Sequence, residues 1–173
     1  LVAAKYPMSR LRLMQSALAQ QTLGEAHFGL GQFTEAETAF RAGIGGYERA
    51  ESLGDGVAPA ASTLREELAD CWAGVGRCRR KLGHLADAWS CIEKALTLRR
   101  PAFEDLAPAR GRRGTFGQLL EVAGQIRHGL NDMEGAAQHF GEAFAIFDVL
   151  ATGEPTDALA AQMRAAVRLG LLD

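Results

Sequence analysis

The chain has 173 residues, 47% of them hydrophobic and 23% charged, with a formal net charge of −2 and a pI near 6.1. This length suits a single domain of ordinary size, so we predict one domain over residues 1–173. The slightly negative net charge argues against attraction of the whole molecule to nucleic acid or to an anionic membrane. No segment has the roughly 18 unbroken apolar residues of a membrane-spanning helix.

Apolar residues recur at helical spacing along the chain, whereas the strand signals of period-two alternation and clustered β-branched residues are nearly absent. Together these observations predict an all-α protein. The first pair of helices covers about 9–53, with a turn at GLGQ, 29–32. Thr34 and Glu37 have the spacing of a capping box, which predicts that the second helix starts at Thr34.

Two more helical hairpins follow, over about 60–100 with a turn at KLGH and about 108–151 with a turn at GLND. Proline costs about 3 kcal/mol in a helix interior, so Pro101 is predicted to end the fourth helix near residue 100. A last amphipathic segment, about 155–170, is predicted to cap the array.

The three hairpins share one register of residue types. A glycine is followed twelve positions later by alanine, four positions later by an aromatic or aliphatic residue, and three positions later by a small residue. These sets are Gly24, Ala36, Phe40 and Gly43; Gly76, Ala88, Ile92 and Ala95; Gly124, Ala136, Phe140 and Ala143. Small residues at fixed positions allow two antiparallel helices to approach closely while the larger side chain fills the remaining space.

This register resembles the tetratricopeptide repeat (TPR), whose pattern is W-x2-L-G-x2-Y, then A-x3-F, then proline. The middle hairpin matches best, through Trp72, Gly76, Ala88 and Pro101. The turn residues Gly31, Gly83 and Asn131 lie 83 − 31 = 52 and 131 − 83 = 48 positions apart, against about 34 in the standard repeat. The resemblance therefore implies a divergent, long-helix TPR-like α-solenoid of three hairpins and a C-terminal capping helix.

Members of this family hold a peptide or a partner helix in a concave groove formed mostly by the first helix of each hairpin. The resemblance thus implies a protein–protein interaction or scaffolding module. Carrying the groove positions onto this chain gives Ala73 and the following candidate peptide-binding residues: Gln21, Glu25, Phe28, Arg77, Arg80, Lys81, Gln118, Glu121, Gln125 and His128.

The middle of that groove is expected to be basic, because residues 61–114 carry eleven Lys/Arg against seven Asp/Glu. Arginine pairs well with carboxylates, so an acidic protein or peptide is the expected partner, although RCRRK also suits a solvated helix face. The asparagines of the family's carboxylate clamp do not accompany these basic residues, which argues against a chaperone-tail receptor. A helix C-terminus explains Arg99 and Arg100 without any ligand, and nucleic-acid binding is disfavoured.

Nothing in the sequence indicates catalysis, a cofactor or a metal. The histidines have no nucleophilic partner at a recognisable spacing, and P-loop, GxGxxG and HExxH motifs are absent. The cysteines, Cys71, Cys78 and Cys91, form no CxxC motif, and their odd number fits a reducing compartment, so we expect a cytoplasmic protein. The N-terminal LVAAKYPMSR does not resemble a secretory signal and is taken as the start of a trimmed or excised piece.

Two alternative functions stay open at this point. The array could mediate self-association of a larger signalling or regulatory protein, with Leu169, Leu171 and Leu172 exposed at its end. It could also sense a small anionic ligand or a signalling peptide. The two differ in a simple observable, because self-association makes the apparent mass depend on concentration whereas ligand binding raises thermal stability.

Overall fold

A computed structural model describes residues 10–53, 61–105, 110–153 and 165 of the chain, and in these ranges it contains six α-helices. They are α1 (Arg10–Gly29), α2 (Phe33–Ser52), α3 (Ala61–Lys81), α4 (Leu85–Asp105), α5 (Arg110–Gly129) and α6 (Met133–Gly153). The predicted all-α architecture of three helical hairpins is thereby confirmed. The predicted cap at 155–170 and the three terminal leucines lie outside the described residues, apart from Ala165.

Each hairpin turns through one residue in the left-handed region of backbone space. Gly31, Gly83 and Asn131 have φ angles of 75°, 83° and 60°. In each turn the next residue's N–H bonds back to the carbonyl five positions earlier, as Gln32 does to His27 at 2.9 Å. This is the Schellman arrangement, which supplies partners for the last carbonyls of a helix.

The repeated glycines bring the two helices of each hairpin together. A Cβ added at Gly24 would lie 2.8 Å from the Phe40 ring, one at Gly76 would lie 2.7 Å from Ile92, and one at Gly124 would lie 2.6 Å from Phe140. The alanines twelve positions after these glycines are buried as well. The shared register in the sequence is therefore a shared packing contact in the structure.

Consecutive helices pack in chain order, and the first helices of the hairpins also touch, α1 with α3 and α3 with α5. The buried core has two parts, one among the first helices of the chain and one from α3 to α6. Trp72 and Leu98 pack against both parts and join them. As a result α1, α3 and α5 line one side of the array, as the solenoid prediction requires.

Helix α2 begins one residue before the predicted capping box. Its N-cap residue is Gln32, which makes no side-chain cap hydrogen bond, and Thr34 already lies in the helix. The Gln32 side chain is instead 2.6 Å from His27 Nδ1. Glu37 accepts hydrogen bonds from Arg41 and Arg79, which hold its pKa below the usual range although burial acts in the opposite direction. The capping-box prediction was therefore wrong.

The prediction that α4 ends near residue 100 was also wrong. Pro101 lies inside α4, which continues to Asp105. Proline removes only one backbone donor, the one that would bond to the Thr97 carbonyl, and α4 continues for one further turn. Arg99 and Arg100 are therefore not in the last turn of α4, and the helix dipole does not account for them.

Candidate functional site

A cavity of about 330 Å³ lies between α1, α3 and α5, with α4 behind it. It is lined by Gln21, Glu25, Asp70, Ala73, Arg77, Ile92, Arg99, Thr115, Gln118, Leu119 and Val122. Four of the ten predicted binding residues, together with Ala73, therefore line one cavity. We call this region the central groove.

Arg77 is held in a fixed position in the central groove. Its guanidinium carbon lies 4.8 Å from the centre of the Phe28 ring and 6.0 Å from that of Phe40. One of its nitrogens donates a hydrogen bond to Glu25 on α1. Phe28 in turn makes an edge-on contact with Phe33, with ring centres 5.4 Å apart. Stacking on aromatic faces orients an arginine while leaving the edge of its guanidinium free to bind an anion.

Arg99 forms a second and more buried ion pair, within the middle hairpin. It is 8% exposed and donates to Asp70 on α3. Burial raises the pKa of Asp70, and the neighbouring Arg99 opposes that shift. The pair sits at the back of the cavity and joins α3 to α4.

The groove continues toward the turns through a third set of polar residues. Gln125 donates to Glu121 at 3.0 Å, and Glu121 lies close enough to Arg80 for an electrostatic interaction. Burial lowers the pKa of Arg80 and raises that of Glu121, so both charges are poorly solvated. The Nε of Arg80 is buried and makes no hydrogen bond within the described part of the chain.

The remaining predicted residues differ in their surroundings. Gln21 accepts a hydrogen bond from the Tyr47 hydroxyl at 3.0 Å, which fixes its amide in the cavity wall. Lys81 and His128 are exposed near the ends of α3 and α5. Four of the ten predicted residues thus line the central groove. The others lie further along α1, α3 and α5 toward the turns, with Lys81 and His128 nearest the ends of their helices.

The charge of the groove is more balanced than the basic sequence suggested. Glu25, Asp70 and Glu121 stand beside Arg77, Arg99 and Arg80 respectively. Asp70 and Arg99 were not among the predicted site residues. Asp70 is seven residues before Arg77 on α3, the same face of a helix, and this spacing could have identified it. Arg99 was missed because it was assigned to the last turn of α4, where the helix dipole would account for it without a partner.

Two arginines outside the groove, Arg100 and Arg112, are also paired with carboxylates. Arg100 donates to Glu142 at 3.1 Å, and Arg112 lies 3.3 Å from Glu66. The cysteines are buried and unpaired, and burial raises the thiol pKa of Cys71 to about 12 and that of Cys78 to about 11. Within the described ranges, no group of His, Cys, Asp and Glu side chains could hold a metal ion, and no helix is long and apolar enough to cross a membrane.

Two solved TPR domains have a fold similar to that of this chain. The structure is similar to the TPR domain of FLU from Arabidopsis, with a TM-score of 0.60 and 17% identity over 79% of this chain and 98% of that one. It is also similar to the first TPR of Spaghetti (RPAP3) bound to an HSP90 peptide, SRMEEVD, with a TM-score of 0.52 and 18% identity over 92% of this chain and 96% of that one. No protein-family model matches the sequence, and no curated protein matches it. The fold is therefore TPR-like, while the sequence has diverged far from these domains.

Proposed function

We propose that this chain is a non-enzymatic protein–protein interaction module that binds an acidic segment of a partner protein in the central groove. The observation that carries the proposal is the placement of Arg77, stacked on Phe28 and open toward a cavity of about 330 Å³. A cleft walled by three helices, with a few fixed polar groups, suits an extended peptide or one face of a helix.

Binding would work by exchange of carboxylates on Arg77. The side chains of Arg77 and Glu25 are 29% and 51% exposed, and a solvent-exposed ion pair of this kind contributes at most about 1 kcal/mol. An incoming carboxylate can therefore displace Glu25 at little cost. It can then accept two parallel hydrogen bonds from the guanidinium, a geometry that favours arginine over lysine.

Neighbouring residues would set the orientation of the partner. The amide of Gln21, whose oxygen accepts a hydrogen bond from Tyr47, can donate to a peptide carbonyl from the cavity wall. Arg80, poorly solvated and with an unbonded Nε, would gain from a second acidic group one helical turn further along α3. We therefore expect a partner with two acidic groups separated by about one turn of α3.

The neighbouring TPR of Spaghetti binds an acidic peptide, SRMEEVD, which supports an acidic ligand for a groove of this architecture. Along the groove this chain has arginines and glutamines, rather than the lysines and asparagines of the carboxylate clamp found in the TPR family. The partner we propose is accordingly an acidic segment other than a chaperone tail.

The test is affinity capture from lysate of the native host, read by mass spectrometry, with wild type, Arg77→Glu and Arg49→Glu. Arg49 is exposed on α2, outside the groove, so its variant makes the same charge change elsewhere. We expect a partner that wild type and Arg49→Glu both retain and that Arg77→Glu loses, with helicity unchanged in all three. Equal capture by all three proteins would exclude the central groove.

A small anionic ligand is a second candidate, because the cavity volume falls within the range of small-molecule sites, roughly 300–1,000 Å³. Thermal unfolding in a panel of dicarboxylates and organic phosphates separates it from the first. A ligand that binds the folded state raises the melting temperature with concentration. Loss of that rise in Arg77→Glu would place the ligand in the central groove.

A further inference from the structure

The cavity of the central groove lies where the middle hairpin has a smaller residue than the other two. Three positions before the repeat glycine, the hairpins have Gln21, Ala73 and Glu121 in chain order. Gln21 accepts a hydrogen bond from Tyr47, and Glu121 accepts one from Gln125. Ala73 has no side chain beyond its Cβ, and it lines the cavity. The middle hairpin therefore leaves open the space that a glutamine or glutamate side chain takes in its neighbours.

The second helices of the hairpins differ at a matching position. At the same distance after the repeat glycine, they have Tyr47, Arg99 and Phe147. Tyr47 and Phe147 are 1% and 2% exposed, and both belong to the buried core. The middle hairpin has Arg99 there, and its guanidinium donates a hydrogen bond to Asp70 in the cavity wall. An ion pair thus stands where the other two hairpins have an aromatic ring.

The walls of the cavity combine an apolar part with a polar end. At the polar end one oxygen of Asp70 accepts the Arg99 hydrogen bond, and the Asp70 side chain remains 34% exposed. A carboxylate this accessible can accept a further hydrogen bond from a group inside the cavity. The walls therefore suit a side chain with a flat apolar body and a hydrogen-bond donor at its tip, which is the chemistry of tyrosine. The apolar part consists of Ala73, Ile92, Leu119 and Val122.

We propose, on the basis of the function given above, that the cavity receives a tyrosine of the partner, next in sequence to the acidic residue that binds Arg77. The tyrosine ring packs against Leu119 and Val122, and its hydroxyl donates a hydrogen bond to Asp70. Phenylalanine or leucine would fill the apolar part as well. Either would remove water from the Asp70 carboxylate without replacing the lost hydrogen bond, which is costly.

The distance between Asp70 and Arg77 fits two neighbouring residues of a partner. The two lie on α3 two helical turns apart, which places them about 10 Å apart along the helix axis. A tyrosine side chain and the carboxylate of an adjacent residue can together span that distance. Tyrosine also brings a large contact area with few rotatable bonds, so fixing its side chain costs little conformational entropy.

The experiment is selection from a library of random displayed peptides on three proteins: wild type, Ala73→Gln and Ala42→Gln. Ala73→Gln gives the middle hairpin the residue type of Gln21, so the fold should accommodate it while the cavity is narrowed. Ala42 is exposed on α2, outside the groove, so Ala42→Gln is the matched control. We expect wild type and the control to enrich peptides with tyrosine beside an acidic residue, and Ala73→Gln to enrich acidic peptides without tyrosine.

A synthetic peptide from the wild-type selection then measures the contribution of the hydroxyl. Replacing its tyrosine by phenylalanine should weaken binding to wild type about tenfold, because a charged acceptor loses its donor. Asp70→Asn can still accept the hydrogen bond from Arg99. On that variant the same replacement should weaken binding about threefold or less, because a neutral acceptor forms a weaker hydrogen bond. Equal losses on the two proteins would exclude Asp70 as the partner of the hydroxyl.

The outcomes separate the tyrosine from the function on which it depends. Enrichment of acidic peptides without tyrosine on wild type would overturn the tyrosine and leave the binding of an acidic segment standing. Tyrosine enriched equally on Ala73→Gln would also overturn it, because the ring would then lie elsewhere. Enrichment of peptides without acidic residues, or of none, would contradict both. If Ala73→Gln loses its helicity, the comparison of Asp70→Asn with wild type decides.

Discussion

Phe40 occupies space that two glycines on different helices leave open. Its ring lies 2.8 Å from the site of a Cβ on Gly24 and 2.7 Å from that of a Cβ on Gly74. A methyl group on Gly74 would collide with the ring, and the ring cannot withdraw because Gly24 closes the other side. Gly74→Ala is therefore a stringent test of how closely the first two hairpins pack.

The expected cost follows from two opposing effects. Alanine gains up to about 1 kcal/mol over glycine in a helix interior, while overpacking a tight core costs about 1–3 kcal/mol. With the ring confined on both sides we take the upper value, which leaves a net loss of about 2 kcal/mol. For a chain of this size that corresponds to a fall in melting temperature of about 4–8 °C.

Gly45→Ala is the matched control, because Gly45 is also inside a helix but an added Cβ there would meet nothing within 4 Å. It should raise the melting temperature by about 2–4 °C. Thermal unfolding followed by circular dichroism measures both variants, and Gly74→Ala/Phe40→Leu should recover part of the loss. If Gly74→Ala raises the melting temperature as Gly45→Ala does, the proposed close packing at Phe40 is incorrect.

Three further predictions concern turns, pH and thiols. Asn131 and Gly83 both have positive φ, which glycine adopts more readily than other residues. In urea unfolding, Asn131→Gly should therefore stabilise the fold by about 0.5–1 kcal/mol, and Gly83→Ala should destabilise it by about 1 kcal/mol or more. Equal effects of the two changes would contradict this. Burial lowers the pKa of His139 below 6.5; its side chain is packed among Trp89, Arg100, Arg127, Asp132 and Glu142. As the pH falls, the unfolded chain therefore binds a proton at this residue before the folded chain does, and the stability of the fold decreases below pH 6.5. His139→Gln should show a smaller loss of melting temperature between pH 7.5 and 5.5, and an unchanged loss would exclude His139 as its source. The buried cysteines should resist a thiol reagent at pH 8 in the folded chain and react fully in denaturant, so rapid native labelling would show that the core opens.

Local and repeated features could be predicted from the sequence. The glycine, the alanine and the larger aromatic or aliphatic residue recur at identical intervals, and the contact between the glycine and the larger residue repeats in each hairpin, so three copies of one pattern reinforce one another. The turn residues Gly31, Gly83 and Asn131 were identifiable because positive φ restricts the choice of residue. Their helix-ending role depends only on neighbouring residues.

Features that depend on how hairpins stack could not be predicted in the same way. The partners of Arg77 and Arg99 are on other helices, and their distances depend on the crossing of α1, α3 and α4. The position of Arg99 was further obscured by Pro101, which α4 accommodates. Charge counting gave a basic middle segment, whereas the fold places a carboxylate beside each of the groove arginines.

Hydrogen exchange of the chain, free and bound to a partner captured from lysate, tests the central claim most directly. If the central groove binds the partner, amide protection should rise along the facing turns of α1, α3 and α5, around Glu25, Arg77 and Gln118, and not along α2, α4 and α6. Protection confined to α2, α4 and α6, the second helices of the hairpins, would contradict binding in the groove.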